Sequence, residues 1–323
     1  MKAAYRTRYG APEVLEVKEV PRPEPRPGEV LVRVHAATVS RTDCAGLWGE
    51  PFVYRFVTGL PRPRHTATGS DFAGEVEQVG QGVTAFRVGD RVWGFDDNGA
   101  GTHAQYVTFA TSKAITTIPP RFEYAQAAAC AEGAHYAINA IKFLRKLPLQ
   151  ADRRALVNGA TGAIGSAAVQ LLKHRQVHVT AVCAAPHLGL VRSLGADRVI
   201  DYLAEDFTKG DTRYDFVLDA VGKSTFGACK PILKPGGTYV SSELGPRAEN
   251  LYLALLTPLL RGKKVRFPFP VDIKGSLSLV RDLAEQGKFR PVIDRSYRLE
   301  EIRDAFTYVA SGQKIGNVIL TMG

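Results

Sequence analysis

The stretch LVNGATGAIGSAAVQLLK, Leu156 to Lys173, constrains the fold more than any other part of the chain. A short apolar run enters a turn made of Gly159, Ala160, Gly162 and Gly165. A helical pattern leaves it, with Ile164, Ala167, Ala168, Leu171 and Leu172 recurring on one face. Ala160, Gly162 and Gly165 hold the spacing of a dinucleotide fingerprint whose first glycine is alanine. Gly162 would let the backbone approach a pyrophosphate, Gly165 would let the helix pack closely on the strand, and the first N–H groups of the helix would face phosphate oxygens. Asn158, Ala160, Thr161, Gly162, Ala163, Ile164 and Gly165 are therefore candidate cofactor contacts. A merely tight strand-to-helix turn is the ordinary alternative, but further strand–helix units follow this one.

Those units begin near Arg121. The runs ALVNG, HVTAVC, RVIDY, DFVLDAV and GTYVSS alternate with helical stretches, the rhythm of a parallel sheet with crossover helices. Before Pro120 the chain is β-rich without that rhythm. EVLVRVHAATV and FAGEVEQVG stand between Pro and Gly punctuation and predict a mostly antiparallel unit. After about Val265 the pattern is mixed and closes on KIGNVILTM, a strand able to rejoin the first half. The expected layout has residues 1–120 and 265–323 in one domain and 121–264 inserted between them, which suits a chain of 323 residues.

The residues expected to name the cofactor come after the second strand of the inserted unit. An NAD site places a carboxylate there to accept the ribose hydroxyls. Here the strand ends in VCAAPHLGLVRSLGAD, and Val182 to Arg192 contains no acid. A 2′-phosphate is then not repelled, Cys183 falls at the strand end, and His187, Arg192 and Tyr202 are within sequence reach as donors. NADP(H) is the expected cofactor. Each donor also has a plain reading, as a solvated helix arginine, a loop histidine or a strand-end tyrosine.

Composition excludes several classes. With 45% hydrophobic and 23% charged residues the chain reads as globular, and no apolar run approaches the roughly 20 residues of a membrane span. The opening MKAAYRTRYG has no apolar core of the secretory kind, so a cytoplasmic location is expected. Cys44, Cys130, Cys183 and Cys229 are too scattered for a metal knuckle and read as buried free thiols. The net charge of +10 is spread along the sequence, with only the short RGKKVRF run concentrated, which argues against nucleic acid and for a solvated surface.

Four segments together resemble a known family. They are the opening MKAAYRTRYGAPEVLEVKEVPRPEPRPGEVLVRVHAATVSRTD, then GSDFAGEVEQVGQGVTAFRVGDRVWG, NGATGAIGSAAVQLLK, and GKFRPVIDRSYRLEEIRDAFTYVASGQKIGNVIL. They are similar to the medium-chain dehydrogenase/reductase superfamily, and within it to the zinc-independent quinone oxidoreductase branch. The resemblance implies an α/β chain with a doubly wound parallel Rossmann sheet inserted in a GroES-like, mostly antiparallel β catalytic domain. It also implies NADPH in the cleft and, often, a homodimer paired through the Rossmann sheets. Further cofactor contacts carried over by resemblance are Ala220, Val221 and Gly222, then Ser241 and Ser242, and last Asn317, where relatives commonly have lysine.

Zinc alcohol dehydrogenases of the same superfamily hold their metal with a Cys three residues before an Asp, a His in Gly-His-Glu and a later Cys or Asp. The corresponding positions here are Ser40, Ser70 and the vicinity of Ala131, so no metal is expected. Without a Lewis acid, alcohol oxidation is disfavoured. Hydride transfer to an already electrophilic quinone or enone needs only close positioning. Candidate acceptor-side residues are Ser40, where relatives often have Asn; Tyr54, a proton donor or a pocket wall; and His135, a proton donor, a carboxamide partner or an ordinary helix histidine. The expected function is an NADPH-dependent, zinc-free reductase of quinones or α,β-unsaturated carbonyl compounds. The alternatives are an enoyl-thioester reductase, or a catalytically weak NADPH-binding sensor or nucleic-acid-binding protein.

Overall fold

The computed structural model describes residues 1–52, 55–146 and 153–323. In chain order the first segment supplies β1 (Lys2–Tyr5), β2 (Glu16–Glu19), β3 (Glu29–Val39), α1 (Arg41–Trp48), α2 (Arg55–Thr58), β4 (Asp71–Val79), β5 (Arg91–Phe95), β6 (Tyr106–Ala110), β7 (Ala114–Thr117) and α3 (Tyr124–Ala129). The middle supplies α4 (Glu132–Ile141), β8 (Arg154–Asn158), α5 (Ala163–His174), β9 (His178–Cys183), α6 (Leu188–Ser193), β10 (Arg198–Asp201), β11 (Tyr214–Asp219), α7 (Phe226–Cys229), β12 (Leu233–Ser241), α8 (Glu249–Leu256) and β13 (Lys264–Arg266). The last segment supplies α9 (Ile273–Glu285), β14 (Ile293–Arg298), α10 (Ile302–Ala310) and β15 (Asn317–Thr321). Two compact units result, one from Met1–Glu132 with Asp272–Gly323, the other from Gly133–Val271.

The first unit is built on a seven-stranded sheet ordered β14-β15-β3-β4-β5-β7, with β6 also paired to β3. Strand β3 holds it together because it pairs antiparallel with β15, β4 and β6. Its apolar residues explain this: Val30, Val32, Val34, Ala37 and Val39 are buried with Phe72, Val76, Phe306, Val318 and Leu320 in one core. Ser40 follows β3 as the N-cap of α1, where its Oγ accepts the Asp43 N–H at 3.0 Å and the Asp43 carboxylate accepts the Ser40 N–H at 2.9 Å. This reciprocal cap fixes the direction of the helix start.

The second unit carries a six-stranded parallel sheet ordered β10-β9-β8-β11-β12-β13. Counted along the chain this is the doubly wound order 3-2-1-4-5-6, whose direction reverses between β8 and β11. Strand β8 reads as a continuous apolar run because helices cover both faces of such a sheet. Only Arg154 of β8 is exposed. On α5, Ala167, Ala168, Leu171 and Leu172 are buried as their spacing predicts. All four cysteines are free and buried.

Candidate active site

The second unit gathers the glycine loop and three neighbouring loops at the carboxyl ends of its strands. Gly159 has a φ of +77°, a conformation glycine adopts without penalty, and its N–H donates to the Val182 carbonyl at 3.2 Å. At Gly165 an added Cβ would be driven into the Gly159 carbonyl oxygen and to 2.9 Å from the Ala160 Cα, so this glycine lets α5 lie against the turn. Gly162 differs. A Cβ there would meet only the Gly159 oxygen, at 3.6 Å, and open space lies beside it. Gly162 is also the N-cap of α5, whose first internal bond runs from the Ser166 N–H to the Gly162 carbonyl at 2.9 Å. The N–H groups of Ala163, Ile164 and Gly165 precede that bond and are available to an outside acceptor. Bare backbone, open space and a twelve-residue helix pointing its N-terminus there fit the pyrophosphate of a dinucleotide.

Asp219, at the end of β11, joins these loops and was not singled out from sequence. Its carboxylate accepts the Asn158 Nδ2–H at 3.1 Å, the Val221 N–H at 3.3 Å, the Ser224 N–H at 2.8 Å and the Tyr239 hydroxyl at 3.4 Å. The Ala220 N–H donates to the Asn158 carbonyl and the Ser242 N–H to the Asp219 carbonyl, each at 3.0 Å. Asn158, Ala220 to Gly222, and Ser241 with Ser242 therefore lie together.

At the end of β9 the structure adds what the linear sequence hides. Asp201 of β10 is the register partner of Cys183, and the Tyr202 N–H donates to the Cys183 carbonyl at 3.3 Å. Burial raises the Cys183 thiol pKa to about 11, with the Asp201 carboxylate adding to the shift and the Arg192 guanidinium opposing it. Both charges thus act at this strand end. A carboxylate does stand nearby, supplied by the third strand rather than the second, and it accepts the Leu203 N–H at 3.1 Å. Arg192 and Tyr202 are exposed and His187 is half-buried.

His135 lies on α4 and is fully buried, its ring 5.6 Å from that of Tyr136 and 3.4 Å from Asn139 Nδ2. Gly133, two residues earlier, packs on the glycine loop, where an added Cβ would come within 2.9 Å of Ala163.

In the first unit the chemistry collects around Ser40. Asp71 is buried and accepts the Thr38 N–H at 2.7 Å and the Thr38 hydroxyl at 2.5 Å. Burial pushes its carboxyl pKa to about 7 despite those bonds. Glu132 is also buried; burial first, then the Asp43 and Asp71 charges, raise its carboxyl pKa to about 8, while hydrogen bonds from Thr42 and Ser40 oppose the rise. Lys314 turns its amine inward to the Gly316 carbonyl at 2.5 Å; burial lowers its pKa and the Glu132 charge opposes this. Asn317 spends its side chain on the Val292 carbonyl at 2.9 Å. Ser70 is buried and its Oγ has no hydrogen-bond partner. Tyr54 lies outside the described residues. The buried acids and the inward lysine carry no local sequence signal, because their neighbours come from distant parts of the chain.

A family model described as an alcohol dehydrogenase GroES-like domain matches residues 26–120, and one described as a zinc-binding dehydrogenase matches residues 194–320. The quinone oxidoreductase QR1 of Triphysaria versicolor, named as chloroplastic, is 31% identical over 332 aligned positions that cover 99% of this chain and 98% of that protein. The NADPH-dependent alkenal/one oxidoreductase of Arabidopsis thaliana, also chloroplastic by name, is 30% identical over 99% of this chain and 79% of its own. Among solved structures, a quinone oxidoreductase from Coxiella burnetii superposes with a TM-score of 0.86 at 24% identity, covering 100% of this chain and 99% of its own. The structure of CurK enoyl reductase does so at 0.83 and 21% identity, with 100% and 99% covered.

Proposed function

The chain belongs to the zinc-independent quinone oxidoreductase branch of the medium-chain dehydrogenase/reductase superfamily and is a nicotinamide-dependent oxidoreductase, and we propose that it reduces quinones or α,β-unsaturated carbonyl compounds with NADPH and without zinc. The observation that carries this reading is the donor set at the start of α1. Ser40, Ser70 and the Ala131 region stand where zinc alcohol dehydrogenases need thiolate and imidazole, and hydroxyls with buried carboxyls gather there instead. Such a set can bind and protonate an oxygen but does not make an alkoxide accessible near neutral pH. An acceptor that is already electrophilic removes that need.

When bound, the dihydronicotinamide supplies the hydride. In this reading Gly162 and the Ala163–Gly165 N–H groups hold the pyrophosphate, and Asp219 fixes the loops that bear Asn158, Ala220–Gly222, Ser241 and Ser242. His187, Arg192 and Tyr202 favour the 2′-phosphate, with Asp201 turned to the Leu203 N–H. Ser40 faces the acceptor. His135, wholly buried, supports the α4 start, and Asn317 shapes the β15 entry. The names of relatives support the acceptor class: one acts on alkenals and enones, others on quinones.

The same reading includes a cytoplasmic homodimer. Strand β13 ends its sheet, and Leu255, Leu259 and Leu260 beside it are exposed at 75%, 83% and 64%. An edge strand flanked by apolar side chains suits pairing with its own copy. No helix among the described residues is long and apolar enough to cross a membrane.

The test is oxidation of NADPH and NADH by chelator-treated protein, followed at the nicotinamide absorbance, over quinones, enones and enoyl thioesters. Chelator-resistant turnover of a quinone or enone with preference for NADPH is the expected result. A strict zinc requirement, or binding without turnover, overturns it.

A further inference from the structure

Between Gly49 and His65 the first unit carries a strap that spends its polar groups inward. The Arg55 guanidinium donates from Nε to the Gly49 carbonyl and from Nη2 to the Trp48 carbonyl, each at 3.0 Å, and lies 4.6 Å from the centre of the Tyr9 ring. The Tyr9 hydroxyl donates to the Gly59 carbonyl at 2.7 Å and shares a second hydrogen bond of 2.7 Å with the Thr58 hydroxyl. The Gly59 N–H donates to the Arg55 carbonyl at 2.7 Å and the Arg64 N–H to the Thr58 carbonyl at 2.8 Å, which close the strap on itself. Its large apolar side chains are left in water. Phe52, Phe56 and Leu60 are exposed at 59%, 62% and 52%, and the two phenyl rings meet edge to face at 5.9 Å. Single exposed apolar residues are ordinary, but three within a short segment, two of them in contact, form a patch of the kind that marks an interaction surface. Arg62 and Arg64 follow directly. Both are exposed, and neither has an ion pair or a side-chain hydrogen bond among the described residues. Glu50 is the only acid between Gly49 and His65.

We propose that this strap docks the protein on the anionic surface of a lipid bilayer, with Phe52, Phe56 and Leu60 entering the interfacial layer and Arg62 and Arg64 meeting lipid phosphates. The pairing of the two chemistries selects the occupant. An apolar groove on another protein would take the phenyl rings and leave two arginines without counter-charge. A soluble polyanion would take the arginines and leave the rings in water. The headgroup layer of an anionic membrane places phosphate oxygens directly above hydrocarbon, and the long arginine stems reach the first while their apolar neighbours enter the second. The net charge of +10 draws the molecule toward the same surface. With two cations and three apolar side chains the attachment is reversible, not a permanent anchor. Docking of this kind is independent of the acceptor that the enzyme reduces.

The test is sedimentation of the full-length protein with vesicles of phosphatidylcholine alone and of phosphatidylcholine mixed with phosphatidylglycerol, with hydrogen exchange measured on the bound protein. The expected result is binding to the mixed vesicles alone, weakened by added salt, with protection of peptides covering residues 49–65. Phe52→Ser with Phe56→Ser, and separately Arg62→Gln with Arg64→Gln, should each weaken binding at least about 10-fold without moving the melting temperature. Lys209→Gln with Arg213→Gln removes the same charge from exposed positions of the second unit and should lose little. An equal loss in that variant reduces the attraction to net charge and refutes the strap. Equal binding to both vesicles, or protection confined to other segments, also overturns the proposal. Absence of binding to either vesicle does so too, and returns the patch to a protein partner. Should the phenylalanine variant not fold, the arginine pair, exposed and unpaired, decides the matter.

Discussion

Replacing Gly162 by valine separates cofactor binding from folding. Gly162 has φ −71° and ψ 171°, a backbone any residue adopts, and its added Cβ meets only one oxygen at 3.6 Å. Valine is a poorer N-cap than glycine by up to about 1 kcal/mol, and the stiffer residue restores about 0.4–1 kcal/mol through the unfolded chain. These effects nearly cancel, so the melting temperature should move by no more than about 2–4 °C. Binding behaves otherwise, because the isopropyl group fills the space beside the Ala163–Gly165 N–H groups. Loss of two hydrogen bonds to charged phosphate oxygens at about 1.5–3 kcal/mol each raises Kd by about 10² to 10⁴-fold. Titration of NADPH by calorimetry, beside thermal melts with and without it, reads both quantities. Wild-type affinity in a folded Gly162→Val protein refutes the assignment, and a collapse of the melting temperature without NADPH returns the loop to a purely structural role.

Gly165→Ala should do the reverse, since its Cβ is driven into the Gly159 carbonyl; overpacking costs about 1–3 kcal/mol, visible as a lower urea midpoint. Tyr202→Phe should weaken NADPH more than NADH and Asp201→Asn should strengthen NADPH relative to NADH; equal changes for both cofactors in fluorescence titrations would remove these residues from the 2′-phosphate site. Stability should fall as pH rises toward 7. Asp71 has an ordinary pKa of 3.8 and about 7 when folded, so its proton is held more tightly by the native state. That contribution is complete below the unfolded value and lost as pH passes the folded one. Asp71→Asn should be less stable overall yet flatter in its urea midpoint between about pH 4 and pH 8. Leu259→Glu should convert a dimer to monomer in light scattering while leaving the fold intact, and an unchanged mass would place any dimer elsewhere.

The sheet and the glycine loop were legible in the sequence because both depend on local spacing. The period of α5, the apolar run of β8 and the small residues of the turn each report on a few neighbouring positions. The charge distribution at the strand ends was not legible. The acid-free segment Val182–Arg192 suggested an uncontested 2′-phosphate site, yet parallel pairing places Asp201 opposite Cys183. Asp219 reads as one more polar strand end, and only the returning loops show it holding Asn158, Val221 and Ser224 together. Lys314 is similar: the family resemblance implies a lysine where this chain has Asn317, while the fold turns another lysine inward three residues earlier.

The start of α1 shows why the missing zinc ligands matter beyond the metal itself. Thiolates and imidazoles in those places would be paired with a cation, whose charge would keep neighbouring carboxylates ionised. Ser40, Ser70 and Ala131 offer no thiolate or imidazole to such a cation, and the Asp43 and Asp71 charges both act against ionisation of Glu132. Repulsion and burial are then relieved by binding protons, with Asp71 brought to about 7 and Glu132 to about 8. Lys314 offsets only part of this, since its own burial favours the neutral amine. A fold selected for stability alone gains nothing from three acids so placed.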